Sequence, residues 1–314
     1  MTALTDADDA DATTRAETDA DSDADDADAD GHGDSRVDAA DDAAGALERR
    51  APEGSVAART GLDGVALKPT ECDVSVAADL PFGLVCVDYE GRDELPSFDL
   101  LAELAADRDV RLATPVRADG FDPRGDDSLS RRVPASVGRV LVAGHPAYLS
   151  ETERRRAVAP RLGDAMDAVA AADPDGEPWV GTEGVERLAL AAGGVQYELL
   201  SRTTERDVRG LRAAGYDGRI AVYAPTVPTD DEDDVLDAVG DYAARRKPVR
   251  DALPDGAATD SSADGRARDV LSKAVRDYAL VGDPDTVGDR VAALKDVGVD
   301  TVVGYPAAGV ETFR

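Results

Sequence analysis

The chain has 314 residues, long enough for one large barrel or two ordinary domains, and its 66 acids against 35 lysines and arginines give a formal charge of −31. That balance excludes the cationic face that nucleic-acid binding needs, and no run approaches the roughly 18 apolar residues of a membrane span. Only four of the 35 cations are lysine. An aspartate-rich, lysine-poor surface suits molar salt, where a Debye length of about 3 Å leaves like charges little repulsion. The acidity is thus read as an adaptation to a halophilic solvent and not as a docking signal.

Residues 1–50 hold 17 acids and four arginines. The Asp-Ala run from Asp6 to Asp30 has almost no bulky apolar residue, so it cannot bury enough surface to offset ordering entropy. Residues 1–52 are therefore read as a disordered acidic tail, with room for a short helix through Ala39–Glu48. Residues 53–314 form the folded domain. Cys72 and Cys86 lack the spacing of a zinc site or redox pair and fit a reducing compartment. With no signal-peptide pattern at the N-terminus, the expected location is the cytoplasm.

From Gly61 the pattern becomes α/β. Leu62 to Leu67 and Phe82 to Val87 are strand candidates, joined by a connection at 70–80 too short and polar for a full helix. Phe98 to Ala106 is an amphipathic helix with Ser97 as cap. Val110 to Val116 gives a third strand, and residues 117–136, rich in Asp, Arg, Gly and Pro, read as a long loop. Arg139 to Ala143 is a fourth strand. A helix from Ser150 to Ala172 opens on a capping-box spacing, Ser150 and Glu153, and Pro160 predicts a kink or break in it. Pro178 to Gly181, Val195 to Leu200 and Ile220 to Ala224 are further strands, with helices over 184–192 and 203–214 between them. Residues 230–252 and 266–277 read as helical. The last unit is the clearest. Asp283 caps, Pro284 takes the first helical position, and Val287, Val291, Leu294 and Val297 make one apolar stripe. Gly298 ends the helix and Val299 to Val303 is the eighth strand. Eight strands alternating with helices predict a closed (β/α)8 TIM barrel in preference to an open doubly wound sheet.

The closing segment, Gly282, Pro284, Val287, Arg290, Gly298, Val299 and Asp300, resembles the ending of the bacterial-luciferase-like family. Phe98 to Val116, Gly138 to Gly144 and Trp179 to Gly181 are similar to its third, fourth and fifth strand regions. That family comprises flavin-dependent monooxygenases and oxidoreductases using coenzyme F420. The resemblance implies a luciferase-like oxidoreductase with F420 or FMN across the barrel's C-terminal mouth. Two departures stand out. The helices after the first and third strands are missing, and Asp88-Tyr89 stands where the family often has Asp-His. They motivate a second reading, a degenerate barrel with no cofactor acting as a binding or regulatory protein. A phosphate-ester isomerase or lyase using Lys68 or His145 is a third.

Barrel sites gather where strands end. By position the residues to watch are Lys68, Asp88, Tyr89, Thr114, His145, Tyr148, Thr182, Glu183, Ser201, Arg202, Tyr223 and Tyr305. His145 and Tyr89 are the catalytic candidates, His145 because an imidazole there could act as acid or base near neutrality. Asp88, Thr114, Gly144 and the loop Gly181, Thr182, Glu183, Gly184 are the cofactor candidates, the loop because backbone N–H groups at a helix start can hold a phosphate. Against these stand plain readings: a turn histidine set by Pro146, an ordinary helix cap, and Glu183 repelling a phosphate. No metal ligand set is read. The expected partner is a small-molecule substrate, with no nucleic acid and no membrane, and a homodimer is compatible with the fold.

Overall fold

The computed structural model describes residues 52–174 and 176–314. Nine parallel strands form its sheet: β1 (Gly64–Leu67), β2 (Leu84–Val87), β3 (Asp109–Pro115), β4 (Gly138–Val142), β5 (Trp179–Gly181), β6 (Val195–Leu199), β7 (Ile220–Val227), β8 (Leu280–Val281) and β9 (Thr301–Pro306). Strands β1 to β7 pair in sequence, and β9 pairs with both β7 and β1. Eight strands therefore close into a (β/α)8 barrel. Strand β8 adds two residues beside the C-terminal end of β7, through Thr226↔Leu280 and Val227↔Val281.

Closure follows from alternation along each strand, since successive side chains point to opposite faces. Ala66, Cys86, Val140, Trp179, Ala221 and Val303 form one cluster along the axis. Val65, Val85, Leu112, Ile220, Val222 and Val302 belong to a second, between the sheet and the outer layer. Both faces of the sheet are apolar, which explains why the strands read as unbroken apolar runs rather than as alternating ones. Trp179 is 1% exposed and packs 5.1 Å from Tyr197.

Local signals act as expected in several elements. Asp283 accepts from Thr286 N at 2.7 Å at the start of the helix Pro284–Asp296. Ser97 accepts from Leu100 N, and both bonds of the Ser150–Glu153 capping box are made. The 150–172 helix breaks, as Pro160 predicts, into Glu151–Arg154 and Val158–Ala172; the break falls just before the proline, which lies in a first turn, where its missing N–H costs nothing. The 230–252 helix is divided into Glu232–Ala244 and Lys247–Arg250. The strand β8 and a short helix Val56–Thr60 were not foreseen. The proposed helix through Ala39–Glu48 and the acidic run lie outside the described residues.

The connections after β1 and β3 carry no α-helix. A 3-10 turn, Val74–Asp79, serves after β1. After β3 the chain runs through turns to a 3-10 turn at Ser130–Arg132. A buried carboxylate pins that loop to the next helical layer. Asp122 is 1% exposed and lies 2.8 Å from Arg161 and 3.2 Å from Arg156, while its Oδ1 also accepts from Arg124 N. Removing one partner of a buried ion pair leaves the others uncompensated. Asp122→Ala is expected to lower stability by about 3 kcal/mol, read from the urea midpoint at constant slope; a loss under about 0.5 kcal/mol, the level of an ordinary surface change, would show the loop to be held otherwise.

Candidate functional site

The C-terminal ends of β1, β2, β7 and β9 bring a polar cluster to one mouth of the barrel. Alternation aims Asp88, two residues beyond Cys86, toward the axis. It accepts a hydrogen bond from the Tyr223 hydroxyl at 3.2 Å. Lys68 follows β1 and lies 3.2 Å from Glu71 and 3.8 Å from the centre of the Tyr305 ring, a cation–π contact. The Tyr305 hydroxyl donates to Glu71. Glu90 accepts from Thr70 N at 2.9 Å and from the Tyr148 hydroxyl at 3.3 Å. Below the cluster, Tyr197, Tyr223 and Tyr305 follow one another at 6.0 Å ring spacing, the last two nearly parallel. The axis is thus filled with rings up to the polar rim.

Two carboxyls are pushed up to about 7 by burial: Glu198, which accepts from the Thr204 hydroxyl on the outer face of β6, and Asp88 at the mouth. Burial pushes the Asp88 carboxyl up to about 7, opposed by the Lys68 charge and the Tyr223 hydrogen bond, and assisted by Glu90 and Glu71. A half-buried carboxyl poised near neutrality can give or take a proton in the working range. Burial also raises the Tyr223 hydroxyl well above its ordinary value, so it stays a donor. Over the β5–β7 side the mouth is roofed by residues that sequence reasoning missed. Arg246 lies 4.4 Å from the Tyr242 ring and 3.8 Å from Glu183. Tyr242 sits in a helix remote in sequence from any strand end, so no strand-end rule could find it.

Of the nominated residues, Lys68, Asp88, Tyr148, Tyr223 and Tyr305 converge here. Others are directed elsewhere. Tyr89 is one residue out of phase with Asp88; it packs edge-on against Phe121, 5.8 Å away, in the outer layer. Thr114 is likewise on the outer face of β3, buried, with its hydroxyl 3.4 Å from Val140 O. His145 is exposed, and its Nδ1 accepts from Ala147 N at 3.2 Å, which is the plain turn-cap role. It stands at the rim, 5.8 Å from the Tyr148 ring. Ser201 is engaged by Thr203 and Thr204, and Arg202 is exposed.

The cofactor candidates Gly144, Gly181, Thr182, Glu183 and Gly184 are each engaged by neighbouring groups of the protein. Gly144 and Gly181 serve packing. A Cβ on Gly181 would fall 2.8 Å from Val142, and one on Gly144 3.1 Å from Pro115. Thr182 is buried and bonded to Tyr197 O. Glu183 pairs with Arg246, and the Gly184 N–H already donates to Glu186. The following helix, Glu186–Ala192, is short and begins on that carboxylate. A phosphate-bearing group would face Glu183 and Glu186 here and Glu71, Asp88 and Glu90 at the mouth. Among the described residues no group of three or more His, Cys, Asp or Glu could hold a metal ion, and no helix is long and apolar enough to cross a membrane.

The raised Asp88 value carries a stability consequence. Between the unfolded value near 3.9 and the native value, the folded chain holds a proton that the unfolded chain has lost. This contribution therefore makes stability fall as pH rises toward 7, and it levels off above. Asp88→Asn removes the effect. Its stability advantage over the parent is expected to grow by about 1–3 kcal/mol between pH 5 and pH 8, after allowance for partial exposure. A pH-independent difference in paired urea titrations would contradict the assignment.

No curated protein matches the chain. Residues 57–313, the whole of the barrel, match the family described as "Family of unknown function (DUF7388)". The chain belongs to that family.

Proposed function

We propose that the protein is an acid–base enzyme acting on a small, uncharged or cationic carbonyl compound at the C-terminal mouth of the barrel. The observation that carries this reading is the placement of Asp88, held near neutrality beside the Lys68 cation and the Tyr223 donor. Ionised Asp88 removes a proton from the carbon next to the carbonyl. The C–H pair moves into the carbon–carbon bond and the carbonyl pair moves to oxygen, where Lys68 offsets the developing charge. In an α-hydroxy carbonyl, the proton returns to the former carbonyl carbon while the hydroxyl oxygen forms the new carbonyl and its proton passes to the first oxygen, which completes an isomerisation. Where the next carbon carries a leaving group, re-formation of the carbonyl expels that group with its bonding pair and completes an elimination.

The charges argue for the substrate class. Glu71 and Glu90 flank the mouth and are not neutralised by Lys68 alone, so a phosphorylated substrate is disfavoured. This weighs against the phosphate-ester reading and against the anionic cofactors that the luciferase resemblance implies. Tyr148, exposed at the rim, offers a ring face suited to a neutral molecule.

The test is solvent exchange. Incubated in D2O with dihydroxyacetone and neutral ketoses, the protein is expected to promote deuterium incorporation next to the carbonyl, with a rate that falls as pH drops below about 7 because the base must be ionised. Asp88→Asn should lower that rate about 100-fold or more, with Lys68→Met also impaired. Exchange unchanged in Asp88→Asn would sink the reading. So would FMN or F420 binding that saturates and supports hydride transfer, an outcome favouring the luciferase-like oxidoreductase.

A further inference from the structure

The missing helix after β3 leaves a second place where chemistry is concentrated. On the barrel's outer flank, between β3, β4 and the helix Val158–Ala172, lies a cavity of about 410 Å3. That volume falls within the range of small-molecule sites. Its walls are mainly apolar, with Val116, Phe121, Val137, Leu141, Ala168 and Val169 among them. In an ordinary barrel this flank is filled by the helix that joins the two strands, and here the loop passes over it instead.

One residue is out of character with those walls. Arg139 projects from β4 into the cavity lining, on the outer face that Leu141 also occupies. A guanidinium carries five N–H donors. Among the described residues it makes one hydrogen bond, from Nη2 to Ser130 O at 2.7 Å. Among the described residues no carboxylate lies within ion-pair distance of it. The acids nearby are committed elsewhere: Asp109 to Arg111 at 2.9 Å, Asp127 to Arg131 at 2.7 Å, and Glu177 to Arg219 at 2.9 Å. Asp173, exposed at the rim, is the remaining acid. Burial lowers the Arg139 value to about 10 with no counter-charge to oppose it. A half-buried cation with unused donors beside an apolar trough is a poor choice for packing and a good one for an anionic head on an apolar tail.

We propose that this flank cavity binds an unbranched medium-chain carboxylate, its head paired with Arg139 and its tail lying along β3, β4 and the helix Val158–Ala172. The site is independent of the barrel mouth: Arg139 faces outward from β4, whereas Asp88 faces the axis.

Calorimetric titration of the full chain with hexanoate, octanoate and decanoate tests this. Each added methylene should tighten binding about fourfold until the trough is filled. Methyl decanoate, which lacks the charge, should bind at least about tenfold more weakly. Arg139→Met, verified as folded by its thermal transition, should abolish the preference for the acid over its ester. Ala168→Trp, verified as folded by its thermal transition, should lose both ligands. Asp88→Asn should bind as the parent does, so failure at the mouth and failure here are distinguishable. Absence of saturable decanoate binding to the parent, equal acid and ester affinity in the parent, or unchanged binding in Ala168→Trp would overturn the proposal.

Discussion

The structure depends on how its last strand is inserted between its first and its seventh. Strand β9 must exchange backbone bonds with both neighbours at once, and a slip of one residue would turn its inward side chains outward. Two aspartates fix that insertion at the N-terminal rim. Asp63, just before β1, accepts from Val302 N at 2.7 Å, and its own N–H donates to Val302 O. Asp300, just before β9, accepts from Ile220 N at 2.8 Å, and its N–H donates to Ile220 O. Lys295 and Arg212 hold these carboxylates, at 2.7 Å and 2.9 Å. The closing helix–strand unit thus carries its own register marks, and Val303 and Tyr305 point inward as a result.

With register settled, the mouth follows. Cys86 and Asp88 point to the axis while Val87 and Tyr89 point away, so a single turn of the strand separates a proton-transfer group from a packing group. The aromatic stack through Tyr197, Tyr223 and Tyr305 excludes water from beneath Asp88, and that exclusion is why its carboxyl holds its proton to about 7. The same burial pushes the Cys86 thiol up to about 12 and keeps it inert. Polar function sits at one end of a column that is otherwise packed shut.

Much of this was legible from residue order. The eight barrel strands fall where apolar β-branched runs stand, and the caps at Ser97, Ser150 and Asp283 act as their side chains dictate. The lack of helices after the first and third strands was visible in polar, proline- and glycine-rich composition. Which strand-end residues face the axis was not. Asp88 and Tyr89 are adjacent and both polar, and phase is decided only by the neighbours to which β2 is paired. His145 drew attention as a lone imidazole, yet its Nδ1 is used by the turn that Pro146 begins. The glycine loop at 181–184 offered backbone N–H groups for a phosphate, and residue order does not show that the Gly184 N–H is already taken by the Glu186 carboxylate. Arg139 was hidden for the opposite reason. It lies inside a strand, where a charge reads as a surface residue, and only the absent helix makes its position a cavity wall.

Proton transfer at the mouth requires Asp88 to hold its proton to near neutrality, and it does so because it is buried. A carbon-13 NMR titration of the aspartate side-chain carboxyls, with Asp88 assigned by its loss in Asp88→Asn, measures this directly. The expected result is one aspartate resonance with a midpoint near 7, while the carboxyls held by hydrogen bonds at helix and turn starts, Asp73, Asp126 and Asp283, titrate below the ordinary range. An Asp88 midpoint near the ordinary aspartate value of about 4 would contradict it.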